Sequence, residues 1–173
     1  MPTTEQAVER ALDKIMHNEG GWADNPNDRG GPTNRGVTLA TLQKLRLGAT
    51  IDDLKALTDA DARDIYRQTY IHAPLIDQLP PEIIPQCADC SVNHGPPRAI
   101  KLLQLALGLA PDGIIGPVTL ATADDAVAKF GAAVNNQIAD RRQAFYNAIV
   151  ANDPTQREWL AGWTIRCNNY RVS

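Results

Sequence analysis

Glu19, Asp28 and Thr33 are the side chains whose types and spacing could do chemistry. The apolar positions Val8, Ala11, Leu12, Ile15 and Met16 recur at helical spacing, and the same i, i+3, i+4 rule carries on to Glu19. That predicts a carboxylate on the buried stripe, in the last turn, just before the helix stop Gly20-Gly21. Partial burial and the negative end of the helix dipole both disfavour the charged form. A carboxyl that keeps its proton near neutral pH is what a general acid requires. The glycine pair adds no side chain, so a polymeric ligand could approach closely. Asp28 follows nine residues later and Thr33 five after that, in a loop that must fold back from the helix end. A second carboxylate opposite the first is the minimal equipment for glycoside hydrolysis. The Thr33 hydroxyl could hold a water with Asp28. Each residue also has a plain reading. Glu19 could accept from an arginine or sit at a solvated helix end, Asp28 could be an Asx-turn residue, and Thr33 could bond backbone.

The elements that must position them are almost all helical. Thr3 with Gln6 fits a capping box ahead of the first helix. Residues 22–37 are turn chemistry with room for a short hairpin. Leu39, Leu42 and Leu45 form a stripe, and Thr50 with Asp53 and Thr58 with Asp61 read as successive caps. The second cap opens a helix with Ile65, Tyr66 and Tyr70 that stops before Pro74. Pro80-Pro81 is the clearest boundary, and Pro81 can start a helix through Ile83, Ile84, Cys87 and Cys90. A break at Asn93-His94-Gly95-Pro96-Pro97 precedes the apolar face of Ile100, Leu103 and Leu107. Residues 124–151 read as one long helix, and Asp153-Pro154 separates it from a last one with Trp159, Leu160 and Trp163. The expected fold is mainly α, with about eight helices and one irregular or short β-hairpin insertion near residues 22–37.

Composition removes several classes. With 173 residues, 43% hydrophobic and 21% charged, the chain is one domain or two small lobes on a shared core, near the globular average. No apolar run approaches the ~20 residues of a membrane helix, and the N-terminus lacks the pattern of a signal peptide. A net charge of −3 gives no support to long-range attraction to nucleic acid or an anionic membrane. Three cysteines, Cys87, Cys90 and Cys167, do not make a disulfide framework. Cys87 and Cys90 have C-x-x-C spacing but lack four good zinc ligands, so they read as small buried hydrophobes. The run Gly31–Thr38 has no P-loop lysine. Asp24 to Gly30 is no calcium loop, since proline holds its third position.

The segment His17-Asn18-Glu19-Gly20-Gly21-Trp22, followed by Asn25-Pro26-Asn27-Asp28-Arg29-Gly30-Gly31-Pro32-Thr33-Asn34-Arg35-Gly36-Val37-Thr38, resembles glycoside hydrolase family 108. These are lysozyme-like N-acetylmuramidases of phage endolysins and bacterial secretion. Further ordered stretches are similar to the family: Ile65–Tyr70, then Asp89, Asn93 and Gly95, and Gly162-Trp163 with Arg166. The stretch from Leu103-Gln104 to Asp112-Gly113-Ile114-Ile115-Gly116-Pro117 is like its peptidoglycan-binding half. Arg29 replaces the usual proline and could pair with Asp28; Trp22 replaces a common tyrosine; Cys167 stands where an aliphatic residue is frequent.

The resemblance implies a lysozyme-like domain with two lobes and a cleft, residues 1–80 catalytic and residues 81–173 binding glycan, packed as one unit. It implies cleavage of the β-1,4 bond between N-acetylmuramic acid and N-acetylglucosamine, with Glu19 as the acid. By analogy with the phage lysozymes, Asp28 and Thr33 would position the water, and the outcome would be inversion. Trp22 either stacks on a sugar or packs on the core. Tyr66 and Tyr70 either pack in the core or line the cleft. Asn93 is a helix-end residue or a sugar ligand. His17 and the pair Arg141-Arg142 read as surface residues, and Gln104 as a helix-surface amide. No metal or organic cofactor is needed. The expected partner is the glycan strand of peptidoglycan, with no nucleic acid and no membrane insertion. The chain is expected to be a monomer made in the host cytoplasm that reaches the wall through a holin. Two other classes stay open: a peptidoglycan-binding module that does not cut, and a lytic transglycosylase.

Overall fold

The computed structural model describes residues 2–17, 22–23 and 31–173. Glu19 and Asp28, with the glycine pair after Glu19 and Arg29 beside Asp28, lie outside the described residues. The chain is mainly helical, with one small antiparallel pair of strands.

Helix α1 (Thr4–His17) begins where expected. The Gln6 amide N–H donates to Thr3 Oγ1 at 3.2 Å, and the Thr3 N–H donates back to Gln6 Oε1 at 2.9 Å. Its stripe of Ala7, Val8, Ala11, Leu12 and Ile15 is buried. Two arginines tie its other side to α4 (Asp59–Tyr66) and to the π-helical turn Arg67–His72 that extends α4. Arg63 pairs with Glu9 and Asp13, and Arg67 with Glu5 and Glu9. Hydrogen bonds from Arg63 and then Arg67 hold the Glu9 carboxyl down at about 2.

Strands β1 (Thr33–Asn34) and β2 (Val37–Thr38) form the hairpin that the turn-rich stretch allowed. They lead straight into α2 (Leu39–Leu45), capped by Thr38, whose Oγ1 accepts from Thr41 N at 3.1 Å. Of the expected leucine stripe, Leu42 is buried, but Leu45 is exposed, because α2 ends at that residue. Short α3 (Ile51–Lys55) and α4 each start with a capping box, at Thr50/Asp53 and Thr58/Asp61.

The helix predicted from Pro81 starts later. Helix α5 covers Ile84–His94, with Pro85 in its first turn. It is followed by α6 (Pro96–Ala106), α7 (Pro117–Phe130), α8 (Val134–Asn152) and α9 (Leu160–Asn168). The single helix predicted over 124–151 is thus two. Gly131, at φ +56, ends α7, and a 3-10 turn at Gly131–Ala133 redirects the chain. Apolar residues on both sides masked that one breaker. One core runs from Ala7 in α1 through Ile84 and Leu103 to Ile138 in α8, and a second joins Tyr146 of α8 to Cys167 of α9. No helix among the described residues is long and apolar enough to cross a membrane.

Two further expectations are corrected. Arg142 is fully buried and donates to Asp89 Oδ2 at 2.6 Å, and the Asp89 carboxylate takes Arg166 Nε at 2.9 Å on its other oxygen. A guanidinium can be buried this way because a carboxylate partner offsets its desolvation. Gln104 is also buried. Its Nε2 donates to Asp112 Oδ1 at 2.6 Å and to the Ile114 carbonyl at 3.0 Å, and its Oε1 accepts from Gly113 N at 2.9 Å. It locks the Asp112–Ile114 turn.

Candidate active site

The hairpin is the part of the expected site that the structure describes most fully. Thr33 forms a reciprocal backbone pair with Ala23, both bonds 2.8 Å, and stands opposite Thr38 in the hairpin register. Ala23 thus forms a single antiparallel bridge on the other side of β1. The two-residue loop Arg35-Gly36 has φ +53 and +72, the sign a two-residue hairpin turn needs at both positions. Glycine adopts this freely; arginine does not. Arg35 is held there from three sides. Its Nε donates to the Leu57 carbonyl at 3.0 Å, its guanidinium pairs with Asp59, and its carbonyl accepts from Tyr66 OH at 3.3 Å. Buried Asn34 donates to the carbonyls of Leu54 at 2.9 Å and Lys55 at 3.1 Å. The hairpin is thus pinned to the connection between α3 and α4.

Trp22 sits on the surface beside this frame, 40% exposed, with the Lys55 ammonium 5.1 Å from its ring centroid. A ring so placed is free to stack on a ligand. Tyr66 is in the core at 3% exposure, so its ring offers almost no face to a substrate; it props the hairpin through its hydroxyl. Tyr70 is half-buried, 5.6 Å from Tyr66 between ring centroids. Asn93 is exposed near the end of α5 and donates back to the Asp89 carbonyl at 2.6 Å. The structure brings Trp22, Thr33 and Tyr66 around one hairpin, with the Tyr70 ring tilted against Tyr66; no contact joins Asn93 to that group among the described residues.

Two polar pockets meet at His17, which is exposed. One, of about 420 Å³, lies between the last turn of α1 and the start of α4, lined by Asp13, Met16, Asp59 and Arg63. The other, of about 590 Å³, faces Asp13, Lys14, Asp89, Arg166, Asn169 and Tyr170. No three His, Cys, Asp or Glu side chains converge as a metal site among the described residues. Cys87 and Cys90 are buried thiols on α5, and burial pushes Cys90 up to about 12.

Sequence reasoning missed the polar frame. Asn34 and Arg35 stand out in the sequence only as part of a motif, because their partners lie about twenty residues away, beyond any local pattern. Asp89 and Arg166 are far apart in the sequence, and nothing in their spacing joins them to Arg142.

Comparison with known proteins matches the same regions. The model of the Glycosyl hydrolase 108 family covers residues 12–95, and that of the Predicted Peptidoglycan domain covers residues 98–168. The structure of SagA from Brucella abortus superposes with a TM-score of 0.78 at 34% identity, over 96% of this chain and 92% of that one. The chain belongs to glycosyl hydrolase family 108. It has a mainly α, lysozyme-like fold, with glycoside hydrolysis as the family's chemistry and peptidoglycan of the cell wall as its partner. No curated protein matches. The two matched segments meet at the Gly95-Pro96-Pro97 break between α5 and α6. The Asp89 carboxylate from the first segment, with Arg142 and Arg166 from the second, rivets them together.

Proposed function

We propose that this family 108 protein is an N-acetylmuramidase, hydrolysing the β-1,4 bond between N-acetylmuramic acid and N-acetylglucosamine. Glu19 protonates the glycosidic oxygen. Asp28 and Thr33 hold the water that attacks the anomeric carbon from the opposite face, with inversion, which requires roughly 6.5–9.5 Å between the two carboxyls. Trp22, Tyr70 and Asn93 contact the glycan; Tyr66 supports the hairpin rather than touching sugar. The observation that carries the reading is the pair of polar pockets meeting at His17, two residues before Glu19, beside a hairpin that fixes Thr33. In this reading the N-terminal lobe, residues 1–80, cuts and residues 81–173 bind the wall. The chain acts as a monomeric endolysin released to the periplasm by a holin.

The test is turbidity loss of outer-membrane-stripped Gram-negative cells with reducing ends counted, wild type beside Glu19→Gln. Wild type should lyse, and Glu19→Gln should lose about 10²–10⁴-fold in rate while melting at the same temperature. Lysis that survives the change overturns Glu19 as the acid. A folded wild type that binds sacculi without new reducing ends is a binding module. Products one water lighter, with 1,6-anhydro ends, mark a transglycosylase.

A further inference from the structure

A groove of about 340 Å³ lies at the meeting of the two matched segments, distinct from the polar pockets at His17. Thr69, Pro74 and Leu75 form one wall; Pro97, Ile100 and Ile114 form the other. The volume is at the lower end of the range for small-molecule sites. Its chemistry is unlike a sugar site. None of the described residues lining it is aromatic, and its side chains are aliphatic or proline apart from Thr69. Pro96 and Pro97 remove two of the N–H groups that a helix start would otherwise point at an anion.

The exception is informative. Thr69 Oγ1 is buried and has no hydrogen-bond partner, a state that costs stability unless something else occupies the site. Thr69 belongs to the π-helical turn Arg67–His72, closed by Ala73 N donating to Gln68 O at 3.0 Å. Such turns recur at functional sites. Leu75, three residues past that turn, holds a left-handed φ of +63 and leaves its side chain 45% exposed at the groove. Ile114 opposite is 67% exposed, although the Gln104 hydrogen bonds fix its backbone. Lys101 runs beside Gly113, its Cε 3.1 Å from where a Cβ would stand, so its side chain flanks the groove at that glycine.

We propose that this groove binds the peptide stem of peptidoglycan: small apolar side chains between Leu75 and Ile114, a backbone amide on Thr69 Oγ1, and a stem carboxylate at Lys101. The proposal rests on the peptidoglycan reading above and deepens it. Glycan offers hydroxyls, which this groove cannot satisfy, whereas the stem is the part of the polymer with methyl side chains, amides and carboxylates.

The test uses the full chain and free L-Ala-γ-D-Glu-meso-diaminopimelate-D-Ala as the calorimetric probe, with an N-acetylglucosamine oligomer as the peptide-free control. Wild type should bind the tetrapeptide. Ile114→Arg should weaken it about 10–100-fold, the worth of one buried aliphatic side chain. Thr69→Val should weaken it about 2–10-fold without lowering the melting temperature, because valine removes an unsatisfied hydroxyl. A merely structural threonine would not separate affinity from stability in this way. Both variants should cleave glycan stripped of its peptides at the wild-type rate. Absence of tetrapeptide binding by wild type, or affinity indifferent to both substitutions, overturns the proposal; the first result points to a protein partner instead. Loss of cleavage with tetrapeptide binding intact overturns the muramidase reading and leaves the groove standing.

Discussion

The hairpin and the contact between the two matched segments are held by opposite means. The hairpin has two residues per strand and is fixed by neutral or singly charged donors reaching backbone carbonyls: Asn34 to Leu54 and Lys55, Arg35 to Leu57, Tyr66 to Arg35. The segment contact has one buried carboxylate between two guanidiniums. Each hairpin bond contributes about 1 kcal/mol, so it sets geometry by number and direction. The Asp89 cluster stands or falls as a unit, since removing one partner strands a buried charge. Placing the Thr33 hydroxyl and joining the two segments are therefore separable properties, and substitution can separate them.

The largest expected effect is Asp89→Asn. It leaves Arg142 buried without its counter-charge and should cost about 3–5 kcal/mol, seen as a drop of roughly 10 °C in Tm. Glycan cleavage per folded molecule should persist; loss of cleavage at full folding would mean that the cluster serves the site directly. Asn34→Ala is the converse. It should cost about 1–3 kcal/mol through two carbonyls left without their donor, and kcat/KM should fall up to about 100-fold as Thr33 shifts. Unchanged kinetics beside a lowered Tm would remove the hairpin from the catalytic frame.

Acid should distinguish two other contacts. His94 donates to or accepts from Tyr146 OH at 2.8 Å, and burial, then Arg142, lower it from 6.5 to about 4. The unfolded chain binds that proton first as pH falls, so His94 favours the folded state fully above about 6.5 and loses this contribution down to about 4. With screening, the loss is on the order of 1–2 kcal/mol. Glu9, lowered from 4.5 to about 2, gives a second loss in that lower window. Urea unfolding followed against pH should show the first slope vanish in His94→Phe and the second remain. The smallest effect is Thr58→Ala, which removes an exposed capping box and should cost about 1 kcal/mol with no change in cleavage.

What could be read in the sequence follows from the range of each interaction. The boxes at Thr3, Thr50 and Thr58 close over three residues, so the pattern and the bond are the same thing. The hairpin was legible as turn chemistry, and the order of helices as periodicity. Gln104 beside a leucine stripe reads as a surface amide until the 112–119 segment folds over it. Arg142 is paired across 53 residues and Arg166 across 77, distances at which no spacing rule operates. The family resemblance implies roles for Glu19 and Asp28, which lie outside the described residues; what the described structure adds is the pinned hairpin that carries Thr33 and the division between a polar and an apolar site.

The π-helical turn carries a consequence for chain length. Its closure over five residues instead of four accommodates one residue more than an α-helix would. Deleting exposed Gln68 would remove that extra residue, so α4 would run on as a regular helix with Ile71 still on its buried face. What would change is the turn itself, and with it the place of Thr69 at the groove. The extra residue thus serves the groove between the two segments and not the core under α4.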